Sequence, residues 1–120
     1  MFEIKGRRIR LTRGDTAEIL IRAEGVTFEP EDRAIFTVKE EADERRPKVE
    51  KMVTPAEDGL CTILLESGDT ADMRPGAYVW DVRFALGCTI NEAGNVEDAV
   101  SVITPFAPQT FEVLEAVGEV

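Results

Sequence analysis

The segment Tyr78–Leu86, YVWDVRFAL, alternates with a period of two. Tyr78, Trp80, Val82, Phe84 and Leu86 fall on one side, and Asp81 and Arg83 on the other. Successive side chains of a strand point to opposite faces, so this run predicts a long strand with one aromatic-rich face in a core. The same period recurs along the chain. In Ala17–Ala23, Ile19 and Ile21 oppose Glu18, Leu20 and Arg22; in Ala34–Glu40, Ala34, Phe36 and Val38 oppose Ile35, Thr37 and Lys39. Leu60–Leu65 (LCTILL) is a short apolar run suited to a buried strand, and further strands are expected near Arg8–Thr12, Ala99–Thr104 and Gln109–Leu114. Turn chemistry separates them at Arg13-Gly14-Asp15, Pro30-Glu31-Asp32, Glu57-Asp58-Gly59, Pro75-Gly76, Ala93-Gly94-Asn95 and Pro105–Pro108. Glu40–Lys48 is polar all round and broken by Pro47, which predicts an exposed loop. Ser67–Met73 predicts a short turn capped by Ser67 or Asp69. The expected fold is an all-β sandwich of about seven to nine mainly antiparallel strands, one domain over the 120 residues.

Composition narrows the function. The chain carries 24 acidic and 14 basic residues, a formal charge of −10. That balance argues against nucleic acid, which is bound by neutralising phosphates. A basic cluster of Lys5, Arg7, Arg8, Arg10 and Arg13 is expected to pair with acids of the same domain or of a partner, and Arg8 and Arg10 are candidate partner contacts. Histidine is absent, which removes the commonest general base and the commonest metal ligand. Cys61 and Cys88 alone supply too few soft ligands for structural zinc; both are expected to be reduced residues of the core. Two acidic groups suggest calcium by composition: Asp58, Asp69 and Asp72, or Asn91, Glu92, Asn95, Glu97 and Asp98. Neither has the spacing of an EF-hand loop. No carboxylate pair stands out, so no catalytic, cofactor-binding or metal-binding residue is assigned, and the domain is read as non-enzymatic. Arg13-Gly14-Asp15 is read as a turn, not as an integrin ligand. Phe106, between Pro105 and Pro108, is the candidate for an exposed partner contact. No apolar run approaches the ~20 residues of a spanning helix, and the N-terminus lacks a secretory pattern, so the expectation is a soluble chain made in the cytoplasm, away from membranes.

The residues around Tyr78 point further. Pro75 and Gly76 suit a type II turn, Met73 can tuck into the core, and the Tyr78 hydroxyl can reach back to the preceding loop. That resembles the tyrosine corner of immunoglobulin-like sandwiches, with Trp80 where antibody domains carry a cysteine. The motif Thr12-Arg13-Gly14-Asp15-Thr16, the pattern Asp69-Thr70-x-x-Met73-x-Pro75-Gly76-x-Tyr78-x-x-Asp81 and the closing Phe111-Glu112-Val113 are similar to the N-terminal domain of phage baseplate upper proteins. The likeness runs as short islands from Ile9 to Val117. It implies an immunoglobulin-like β-sandwich in a phage or prophage tail. The expected partners are other tail and baseplate proteins, with a homo-oligomer among the expected forms, made in the bacterial cytoplasm and carried in the virion. A small tail or virion protein is expected rather than a complete connector. Strand edges for assembly are expected at Arg8–Thr12 and Phe111–Val117. The alternative reading is a carbohydrate-binding or adhesion sandwich that recognises a cell-surface glycan.

Overall fold

The computed structural model describes residues 2–118. In it the alternating segments become β1 (Phe2–Lys5), β2 (Arg8–Thr12), β3 (Ala17–Arg22), β4 (Arg33–Lys39), β5 (Val49–Val53) and β6 (Leu60–Leu65). After the helical turn α1 (Ser67–Thr70) come β7 (Gly76–Leu86), β8 (Thr89–Ile90), β9 (Val96–Asp98), β10 (Ser101–Ile103) and β11 (Gln109–Leu114). The large sheet runs β1-β2-β11-β7-β4-β5, with β10 on the far half of β7; β3 and β6 form a second sheet, and β8–β9 a small hairpin. All pairings are antiparallel except that of β2 with β11, which is parallel. With strands three and six in one layer and four, seven and eleven in the other, the order is that of an immunoglobulin-like sandwich.

The two layers meet through the faces that the alternation defines. Ile9, Leu11, Ile19, Phe36, Val38, Ile63, Leu65, Phe111 and Val113 are buried, with Trp80 among them. Phe28, Ala34, Cys61, Val82 and Phe84 form a second cluster. Glu40–Lys48 is exposed throughout, as its polarity requires. Among the described residues, eleven strands exceed the seven to nine expected because β1, β5 and the β8–β9 hairpin add short or charge-interrupted segments. β7 begins at Gly76, whose φ is 149°, so Pro75-Gly76 opens the strand rather than sitting inside a turn. The turn before it is closed instead by the Met73 N–H bonding to the Thr70 carbonyl at 3.0 Å. The helical turn takes Glu66 as its N-cap, not Ser67, and Asp69 accepts the Glu66 N–H at 2.7 Å.

The edges differ from expectation. The parallel pairing places β2 between β1 and β11, and β11 between β2 and β7, so neither is an edge. In a larger immunoglobulin-type sandwich the sheet holding β3 and β6 has four strands. Here the leading strands have joined the opposite layer, and β5 pairs with β4. Among the described residues, β3 and β6 pair only with each other.

Two motifs distant in sequence are joined in this frame. Gly14, at φ 82°, makes the turn between β2 and β3, where the Asp15 N–H bonds to the Thr12 carbonyl at 3.0 Å. The Gly14 N–H donates to Oγ1 of fully buried Thr70 at 2.9 Å. Thr70→Val keeps the volume but strands that N–H, and is expected to cost about 1–3 kcal/mol. A lower urea midpoint at unchanged m-value reads it out.

Candidate interaction surface

β7 supplies the centre of the site. The Tyr78 hydroxyl donates to the Arg74 carbonyl at 2.7 Å, closing the tyrosine corner. Two residues on, the Trp80 indole N–H donates to the Arg7 carbonyl at 2.8 Å and ties β7 to the β1–β2 turn. The Trp80 ring packs on Phe36 at 5.4 Å between centroids and edge-on to Phe106 at 5.3 Å. Trp80 is buried and is a core residue, as its neighbours Tyr78, Val82 and Phe84 require.

Phe106 sits where the chain leaves β10 and enters β11. Ile103 lies opposite Phe84, but Gln109 lies opposite Trp80, so five residues of one strand span the three between Phe84 and Trp80 on β7. This bulge turns the Phe106 ring inward, half-buried against Trp80, with the Arg7 guanidinium 4.5 Å above the ring centroid. The residue expected to stand free on a stiff loop is thus the wall of a groove. That groove, about 510 Å³, runs along β3 between the two layers; its apolar lining includes Ile9, Ile21, Phe84, Leu86, Ile103 and Phe106. Exposed apolar side chains line it, among them Leu20, 56% exposed on β3, and Ile103 on β10; Val102, paired with Ala85 on the opposite face of β10, is exposed away from it. Leu64, 57% exposed, adds to the outer face of the β3–β6 sheet. The period-two pattern had already turned Leu20 outward. Val100–Ile103 carries no such signal, since its exposure depends on which strand β10 joins.

The basic cluster is largely matched across the parallel pair. Arg10 Nε lies 2.7 Å from Glu112 Oε1, Arg8 Nη2 lies 3.6 Å from the same oxygen, and Arg13 Nη2 lies 2.7 Å from Glu115 Oε1. Arg8 and Arg10 therefore share one carboxylate of the same chain. Arg8, 57% exposed at its side chain, remains reachable by a partner.

The acids that composition groups together are engaged separately. Asp69 pairs with Lys51 at 2.9 Å, and Asp58 accepts the Leu60 N–H and lies 3.4 Å from Arg22. The Leu60 N–H, with the Arg22 guanidinium, holds the Asp58 carboxyl below its ordinary value. Any stability it adds is present above the usual Asp range and is lost as pH falls through the lowered value. Asn91 Oδ1 accepts the N–H groups of Ala93 and Asn95, building a local turn. Among the described residues, no three His, Cys, Asp or Glu side chains gather as a metal-holding group.

The cysteines part company. Cys61 is fully buried in β6; Cys88 is half-buried in the bend after β7, outside the core, with Sγ 3.2 Å from the Ala85 carbonyl. Burial pushes both thiols up. In native protein, a disulfide reagent such as DTNB is expected to titrate Cys88 slowly and Cys61 only after unfolding.

Compared with known proteins, the sequence matches no family model and no curated protein.

Proposed function

We propose that the domain is a non-enzymatic interaction module of a phage or prophage tail, of baseplate type, that joins neighbouring subunits through strand edges. The observation that carries this reading is the coincidence of a β3 edge that no other strand among the described residues pairs, an apolar groove beside it and exposed apolar side chains lining it. An open edge offers main-chain bonds to an added strand, and the pockets along it select that strand's side chains. The formal charge of −10 favours a partner with a basic face and disfavours acidic ones. The tail lineage rests on the resemblance of Thr12–Thr16, Asp69–Asp81 and Phe111–Val113, the first two of which are joined by the Gly14–Thr70 hydrogen bond.

The test is native mass spectrometry of the domain mixed with purified phage baseplate and distal-tail proteins. A stoichiometric complex weakened by Ile103→Asp supports the proposal. Binding to none of them, with binding to purified cell-wall polysaccharide instead, replaces it with the glycan reading.

A further inference from the structure

We infer that the open edge of β3 pairs with β3 of a second copy of this chain, in one antiparallel register centred on Leu20. This rests on the geometry of the edge and does not depend on the tail assignment.

The direction of the backbone groups sets the first constraint. The Ala23 N–H donates to the Gly59 carbonyl at 2.9 Å, and the register continues with Ile21 opposite Cys61 and Ile19 opposite Ile63. Odd-numbered residues of β3 therefore turn their N–H and C=O toward β6, and Glu18, Leu20 and Arg22 turn theirs to the outer edge. Only registers that oppose even-numbered residues close hydrogen bonds across two copies.

Charge selects among those registers. Centring on Glu18 or on Arg22 sets like charges face to face, and centring on Ile21 opposes Glu18 to Glu24. Centring on Ile19 opposes Glu18 to Leu20. Centring on Leu20 opposes Glu18 of each copy to Arg22 of the other and stacks the two Leu20 side chains at the two-fold axis. Strand AEILIR, with opposite charges four residues apart about an apolar centre, is thus complementary to its own antiparallel copy. Charges on an edge strand usually block such pairing; these favour it.

The structure leaves the edge ready. Leu20 is 56% exposed, Glu18 is exposed, and Arg22 makes a 3.4 Å contact with exposed Asp58, an interaction of little strength. Pairing makes a four-stranded sheet β6-β3-β3-β6 with about six new backbone hydrogen bonds. On its outer face the Leu20 pair is flanked by Thr62 of each copy, and Leu64 lies beyond each Glu18. An edge of six residues is short of the roughly 800 Å² per partner of a standard interface. The dimer is accordingly weak and dependent on concentration.

Sedimentation of the full chain over micromolar to millimolar concentrations gives the dissociation constant. Wild type is expected to dimerise. Glu18→Arg and Arg22→Glu each turn both cross-pairs repulsive and are expected to weaken homodimers about tenfold. Mixing the two variants restores both cross-pairs, and the mixed dimer is expected to return to wild-type affinity. All three side chains involved face solvent, so folding is checked simply by circular dichroism. A wild type that stays monomeric throughout overturns the inference while leaving binding to tail proteins untouched. A dimer insensitive to both charge variants, or not rescued by mixing, overturns the register and the edge together.

Discussion

Trp80→Ala is expected to lower stability by about 3–5 kcal/mol, the range for truncating a buried aromatic. The indole is 5% exposed and fills the space between Phe36 and Phe106. Its loss opens a cavity, leaves the Arg7 carbonyl without the indole N–H, and removes the surface on which Phe106 rests. The groove wall should then loosen, because Phe106 lies in a bulge held mainly by what it packs against. Trp80→Phe retains a ring but not the donor, and about 1–2 kcal/mol is expected from the lost hydrogen bond and partial cavity. Urea denaturation followed by circular dichroism measures both, since Trp80 is the sole tryptophan and fluorescence disappears with it. An Ala variant within about 1 kcal/mol of wild type would contradict the placement of Trp80 at the junction of the layers.

Gly59→Ala is the second large effect. Gly59 sits at φ 95° in the turn that enters β6, and an added Cβ would collide with the carbonyl oxygen of Ala23. Both the left-handed backbone and the contact with main chain, which cannot rotate away, oppose a side chain. Relief requires β3 and β6 to part at the Ala23–Gly59 bond, in a sheet that among the described residues has no third strand to hold them. The expected cost is about 3 kcal/mol. Gly68→Ala is the control. It lies in α1 with open space around it and is expected to change stability by less than about 0.5 kcal/mol.

The alternation in Ala17–Ala23, Ala34–Glu40 and Tyr78–Leu86 was enough to name the buried faces, because period two is a local property of a strand. β5 was not legible: in VEKMV the adjacent Glu50 and Lys51 interrupt the pattern, and only the fold shows Lys51 reaching Asp69. The edges escape the sequence for a related reason. Position in the chain suggested that the first and last strands lie outermost, whereas the parallel bond between β2 and β11 encloses both. Which strand lacks a neighbour is decided by contacts between residues far apart in sequence. The strand-like surroundings of Cys88 predict a core position, yet it lies one residue past Gly87, whose φ of 63° bends the chain away. For Phe106 the flanking prolines suggest an exposed contact, whereas the mismatch of five residues against three, visible only in the register, turns the ring inward.

The central claim is that β3 is an unpaired edge able to accept another strand. Residue-resolved amide exchange by NMR tests it most directly. In dilute protein, Ile19, Ile21 and Ala23 should be protected by β6, while Leu20 and Arg22 exchange as open amides; raising the concentration should protect Leu20 and Arg22 as well. Leu20 protected equally at all concentrations would mean that the edge is already covered within one chain, and would contradict the account.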